Sequence, residues 1–159
     1  MIDEFMELAD SLAAENLRTN AGGPFGACIV KDGKVVGKGS NHVLAHNDPT
    51  AHGEIMAIRD ACRNLGTYDL SGCVLYTSAY PCPMCLSATI WSNITKVRYG
   101  NTKEDADAIG FRDDRIYDFL HSLTKGDGGD GLLTLEQMGH ELTIKTFEAF
   151  QAKEDKTIY

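Results

Sequence analysis

Apolar residues recur at Phe5, Leu8, Ala9, Leu12, Ala13 and Leu17, with acidic side chains between them. That spacing predicts an amphipathic helix over residues 3–18. Gly22-Gly23-Pro24 breaks it. Phe25–Val30 and Val35–Gly39 read as two strands joined by Asp32-Gly33, a tight-turn pair. Asn47-Asp48-Pro49-Thr50 carries turn chemistry, with a helix cap at Asp48 or Thr50. Ala51–Asn64 follows as a helix with Ile55, Ile58 and Cys62 on one stripe, so that His52 and Glu54 fall in its first turn. Val74–Ser78 is a short buried strand stopped by Pro81 and Pro83, Met84–Trp91 the next helix and Lys96–Tyr99 another strand. Beyond this point the pattern weakens. Asn101–Ala108 fits helix or loop, Ile116–Leu123 a short helix, and Lys125–Gly131 a Gly/Asp turn. Leu132–Met138 fits strand or helix, and Glu148–Lys153 a closing helix. Strands alternating with helices predict an α/β protein with a layered sheet.

Length and charge narrow the class. A chain of 159 residues suits one domain, residues 1–159, with a core of its own. No apolar run approaches the roughly 20 residues that a membrane span needs. Met1-Ile2-Asp3-Glu4-Phe5 is acidic and lacks the basic start of a secretory signal. Five cysteines, an odd number, read as reduced thiols and predict a cytoplasmic protein. A net charge of −8 argues against a broad nucleic-acid surface, which needs Lys and Arg. A small neutral substrate suits it better.

The chemistry-bearing words are His52-Gly53-Glu54 and Pro81-Cys82-Pro83-Met84-Cys85. Together they match the H-x-E…P-C-x-x-C signature of zinc deaminases. One imidazole and two thiolates fill three places of a tetrahedral zinc and leave one for water. Glu54, two residues from His52, sits near the metal without binding it and can move protons there. A Cys-x-x-Cys alone also fits a redox pair or half of a structural zinc site. A redox pair requires no His-x-Glu, and a structural site wants a fourth protein ligand. Cys28, Cys62 and Cys73 are isolated and read as small buried hydrophobes. His42, His46, His121 and His140 read as surface or packing residues, with His42 and His46 flanking the expected pocket.

On these words the chain resembles the cytidine-deaminase-like superfamily of zinc deaminases. The resemblance implies a three-layer α/β/α fold around a central mixed five-stranded sheet, and one Zn2+ per subunit held by His52, Cys82 and Cys85. Within the superfamily, longer words resemble bacterial guanine deaminase. They are Gly22-Gly23-Pro24-Phe25-Gly26-Ala27, Asn47-Asp48-Pro49-Thr50-Ala51-His52, Leu75-Tyr76-Thr77-Ser78 and Gly110-Phe111-Arg112-Asp113-Asp114-Arg115-Ile116-Tyr117. That resemblance implies hydrolysis of guanine to xanthine and ammonia, with Glu54 catalytic. Phe25 would stack on the base, Asn41 would hydrogen-bond its edge, and Asp113 would meet its polar edge and shuttle protons. It also implies a homodimer in which the C-terminal segment, about residues 140–159, is exchanged and Tyr159 enters the partner's pocket. Asp113 or Asp114 equally suits a helix cap before Ile116.

Two residues depart from the family pattern. Gly53 stands where the family usually has Ala, and Tyr80 where it usually has Glu. They keep other substrates open: cytosine, guanosine, an aminotriazine or a pterin. A tRNA adenosine deaminase shares the zinc signature but would need a basic surface.

Overall fold

In a computed structural model of the chain, the described residues are 3–111, 113–126 and 131–159. The chain forms two compact units, Met1–Ile116 and Tyr117–Tyr159.

The first unit is built on a sheet. Helix α1 runs Glu4–Thr19 and starts on Asp3, whose carboxylate accepts from the Phe5 amide at 3.0 Å. Strands β1 (Gly26–Lys31) and β2 (Lys34–Ser40) form a hairpin. Asp32 and Gly33 turn it with φ of 49° and 74°, both left-handed, as a two-residue hairpin turn requires. Strand β3 (Val74–Ala79) pairs antiparallel with β1, and β4 (Lys96–Asn101) pairs parallel with β3. The sheet is mixed, in the order β2-β1-β3-β4.

Among the described residues the sheet has four strands, where the resemblance implied five. The segment that left a strand open, Leu132–Met138, has no regular structure and exposes Leu132, Leu133, Leu135 and Met138. Gly131 and Gly139 bracket it with φ of 86° and 68°, a conformation that ends an element. Of the Lys125–Gly131 turn, residues 127–130 lie outside the described residues, as does Arg112.

Strand periodicity of two sorts the core into two layers. Cys28, Val30 and Tyr76 pack on Phe5, Met6 and Leu8 of α1. Ala27, Ile29 and Leu75 face the other way, onto Ala57 and Ala61 of α3 (Gly53–Leu65). Both helices lie close to the sheet because glycines meet them. A Cβ on Gly26 would stand 2.3 Å from the Ala9 carbonyl oxygen, and one on Gly39 would stand 2.5 Å from the Gly53 carbonyl oxygen. The second of these approaches sets the N-terminus of α3 against β2.

Shorter elements complete the unit. Helix α2 (Val43–His46) was not visible in the apolar pattern, being a single turn. Helix α4 (Pro83–Trp91) connects β3 to β4. Helix α5 (Lys103–Ala108) settles the helix-or-loop segment, through a reciprocal cap between Thr102 and Asp105. Helix α6 (Asp114–Thr124) begins in the first unit and continues in the second, where it buries Phe119. Helix α7 runs His140–Ala152, well beyond the expected Glu148–Lys153, and buries no residue. No helix of the described residues is long and apolar enough to cross a membrane.

Candidate active site

Two helix starts build the site. His52 is the residue that caps α3, and Cys82 caps α4; both are extended, with φ/ψ of −70°/158° and −66°/167°. His52 therefore stands one residue before the turn in which the sequence placed it, while Glu54 lies in that first turn. Neither side chain makes a capping hydrogen bond. The loop before His52 is held by Asp48, whose Oδ1 accepts from the Thr50 amide at 2.8 Å and the Thr50 hydroxyl at 2.6 Å. Pro83 occupies the first turn of α4, where its missing N–H costs nothing. Ile55 packs with Cys82 and Cys85, joining the two helix starts.

The ligand atoms of His52, Cys82 and Cys85 lie within 4.8 Å of one another. His52 Nδ1 is 3.6 Å from each of the two sulfurs. Zinc–sulfur and zinc–nitrogen bonds of about 2.3 and 2.05 Å, meeting at a tetrahedral angle, separate S and N by about 3.6 Å. The donor set and its spacing thus fit a zinc ion with one position open. Cys85 is fully buried and Cys82 nearly so.

Hydrogen bonds within the cluster shift the proton affinities of its members. Cys82 is pulled down to about 4, first by a hydrogen bond from the Cys85 thiol and then by His52. Cys85 is pushed up, first by that same bond to Cys82 and then by burial. His52 is raised, mainly by its hydrogen bond to Cys82. A divalent cation would displace protons from such a cluster on binding. Helix N-termini favour the thiolates further.

Glu54 is buried, and burial is the main cause that raises its carboxyl above the usual range. Its Oε1 lies 3.3 Å from the Thr77 hydroxyl, and its Oε2 accepts from the Cys85 thiol at 3.4 Å. An acidic group of raised affinity for protons, beside the metal position but not in its ligand set, is suited to carry a proton at neutral pH.

A cavity of about 390 Å³ opens onto this centre, a size usual for small-molecule sites. Phe25, Asn41, His52, Glu54, Cys82 and Asp113 all line it. Cys85 sits behind it. Tyr159 belongs to the second unit and is 77% exposed. Phe25 meets Phe111 edge-on, with centroids 4.8 Å apart and planes at 88°. Asn41 accepts from the Val43 amide through Oδ1 at 3.1 Å, which orients its amide nitrogen to donate elsewhere. Asn41 is itself anchored by buried Asn16, whose Nδ2 donates to the carbonyls of Gly23 and Asn41, both at 2.8 Å. Asp113 immediately precedes α6, and burial is the first cause of its raised carboxyl.

Several pocket residues were not anticipated: Val43 and Leu44 from α2, Pro49, Ala106 from α5, and Phe111. Pro49 and Phe111 left a signal, as members of the Asn47–His52 and Gly110–Tyr117 words. Tyr80 also lines the cavity. Its ring stands edge-on to Tyr99 at 5.0 Å, and Lys103 Nζ lies 4.6 Å from the ring centre. At Gly53, an added Cβ would stand 3.1 Å from the Phe25 carbonyl oxygen, so the glycine lets α3 start hard against β1.

The comparisons with known proteins agree with this centre. Residues 1–101 match the cytidine and deoxycytidylate deaminase zinc-binding region. Guanine deaminase of Bacillus subtilis (strain 168) is 50% identical over 115 residues, covering 72% of this chain and 74% of that protein. The X-ray structure of guanine deaminase from Bacillus subtilis superposes with a TM-score of 0.90 at 39% identity, covering 100% of this chain and 99% of that one. A tRNA-specific adenosine deaminase of Aquifex aeolicus (strain VF5) is 50% identical over 74 residues, covering 46% of this chain and 49% of that protein. With a zinc-ligand cluster, a buried carboxyl beside it and this match over most of its length, the chain belongs to the cytidine and deoxycytidylate deaminase zinc-binding family and is a zinc-dependent deaminase.

Proposed function

We propose that the protein hydrolyses free guanine to xanthine and ammonia. The observation that carries the reading is the single cavity in which Glu54, the His52 and Cys82 ligands, an aromatic face at Phe25 and a carboxylate at Asp113 converge. The similarity to guanine deaminase along the whole chain supports the choice of base. Zinc, when bound by His52, Cys82 and Cys85, supplies the Lewis acidity that makes water a nucleophile near neutral pH. Glu54 takes the proton from the attacking water as oxygen bonds to C2. It returns that proton to the ring nitrogen, then takes the remaining proton from the new C2 hydroxyl and passes it to the exocyclic amine, which leaves as ammonia as the C2 carbonyl forms. Phe25 stacks on the purine, and the Asn41 amide pairs with an acceptor on its edge. Asp113 accepts from N1–H and the amine, both donors, and shuttles a proton there. A buried site that must pair those donors discriminates against bases that lack them.

Completion of the site by a second subunit belongs to the same proposal. Helix α7 exposes Leu142, Phe147 and Phe150 and buries nothing, which suits a helix that finds its cover on a partner chain. In that arrangement residues 140–159 are exchanged in a homodimer, and Tyr159 closes the partner's pocket. The protein works in the cytoplasm on a free nucleobase.

One observation favours a second reading, another aminated heterocycle such as cytosine. Tyr80 places an aromatic ring beneath Lys103 on the pocket wall, where the family usually carries a carboxylate. The product decides between them. Zinc-loaded protein incubated with guanine in ¹⁸O-water should yield xanthine labelled at C2 and one ammonia for each. Unchanged guanine beside uracil formed from cytosine would replace the first reading with the second.

A further inference from the structure

We infer that Thr77 is the positioning residue that aims Glu54, an inference that rests on the deaminase reading of the site. Thr77 lies on β3, a strand paired on both sides, opposite Ala27 of β1 and Tyr99 of β4. Its side chain shares the α3 face with Leu75, two residues before it, and is 2% exposed. Its Oγ1 is 3.3 Å from Glu54 Oε1 and 3.1 Å from the Ala79 carbonyl oxygen. A hydroxyl has one proton to donate. Two acceptors share it, which accounts for both distances exceeding the usual O–H···O length of about 2.8 Å.

Glu54 has one other side-chain donor, the Cys85 thiol on Oε2. Zinc binds cysteine as thiolate, which has no proton to give. In the loaded site the contact from Cys85 is no longer a hydrogen bond, and Thr77 alone of these two still donates to the carboxylate. It then holds Oε1 against β3 and fixes the carboxylate beside the metal position. A β-branched side chain on a central strand suits this task, because χ1 is stiff and the backbone is held from both sides. The hydroxyl also ties Glu54 to Ala79, which lines the pocket. Ala79 is held independently by its pairing with Asn101 of β4, so the pocket wall does not depend on this hydroxyl. Replacement of the outer partner of a metal ligand costs about 10- to 100-fold in activity, and the same scale is expected for the partner of Glu54.

The test uses Thr77→Val and Thr77→Ser, each alone and combined with Glu54→Gln, on the zinc-loaded protein. Wild type is assayed alongside, on whichever base of a panel it turns over best. Failure of guanine as substrate is therefore read from the wild type, and failure of this inference from the variants. Thr77→Val should lower kcat about 10- to 100-fold with KM and zinc content unchanged. Thr77→Ser should recover most of that loss. In the Glu54→Gln background, Thr77→Val should lower the residual rate no further, because Thr77 acts only through Glu54. A crystal structure of zinc-loaded Thr77→Val should show the Glu54 carboxylate turned away from position 77. Full kcat in Thr77→Val, no recovery with Ser, equal losses in both backgrounds or an unmoved Glu54 would each overturn the inference. If Thr77→Val does not fold, Thr77→Ala replaces it under the same criteria.

Discussion

The two units of this chain use apolar residues in opposite ways. In Met1–Ile116 a sheet is covered on both faces, and its helices bury alanines close against glycines. In Tyr117–Tyr159 helix α6 buries Phe119, but α7 leaves Leu142 and Phe147 more than 70% exposed. The first unit carries the zinc ligands, Glu54 and the pocket. The second carries a helix of 13 residues with no buried side chain. Isolated helices of that length are marginal in water, and packing supplies most of their stability. The lesson is that a zinc-ligand cluster and a covered surface are separate achievements. The first unit holds the cluster, while α7 buries none of its own residues.

That contrast can be broken from either side. The largest effect is expected from His52→Ala, Cys82→Ala or Cys85→Ala. Each should remove zinc and bring turnover to background, with elemental analysis as the check. Full metal occupancy in any of them would dissolve the ligand set. Next comes Glu54→Gln, which should keep zinc while kcat falls about 10²- to 10⁴-fold. Normal rates in that variant would assign the proton transfer to another group. Removal of Thr157–Tyr159 probes the second unit, and should abolish turnover while zinc stays bound. Undiminished activity would take Tyr159 out of the site and make the first unit self-sufficient. The smallest effect is on stability alone. Gly39→Ala places a Cβ 2.5 Å from α3 backbone, and should lower unfolding free energy by about 1–3 kcal/mol in urea melts. A neutral result would mean that α3 can shift at little cost.

The sequence was most informative where local chemistry and tertiary packing agree. The hairpin turn at Asp32-Gly33, the strands around it and helices α3 and α4 follow from residues within a few positions of one another, although α3 is capped at His52 and not at the expected Asp48 or Thr50. Even so, α1 buries Asn16 and leaves Leu17 75% exposed, the reverse of its apolar pattern. The reason is long-range: Asn16 is satisfied by carbonyls of Gly23 and Asn41, which no periodicity reveals. Helix α2 was missed because one turn cannot display a period. The extent of α7 was missed because its apolar side chains are scattered rather than set on one buried stripe. The fifth strand came from family likeness, and the exposed residues of Leu132–Met138 do not form one.

The candidate site divides in the same way. His52, Cys82, Cys85 and Glu54 were legible because metal chemistry demands those residue types at those spacings, and the structure brings them together. Phe25, Asn41 and Asp113 were reached only through resemblance, and all three line the cavity. Val43, Leu44 and Ala106 were invisible because pocket walls need shape, which ordinary apolar residues supply without a signature. Tyr80 was noticed as a departure, and its contact with Lys103 could not be read from sequence.

The most direct test is ammonia release by the zinc-loaded protein against guanine, guanosine, adenine, cytosine, aminotriazines and pterins, with Glu54→Gln as the blank. Guanine turnover well above every other compound, and absent from the blank, is the expected result. Guanine left inert while cytosine or another ring is consumed would contradict it, and would make Gly53 and Tyr80 the residues that set the substrate.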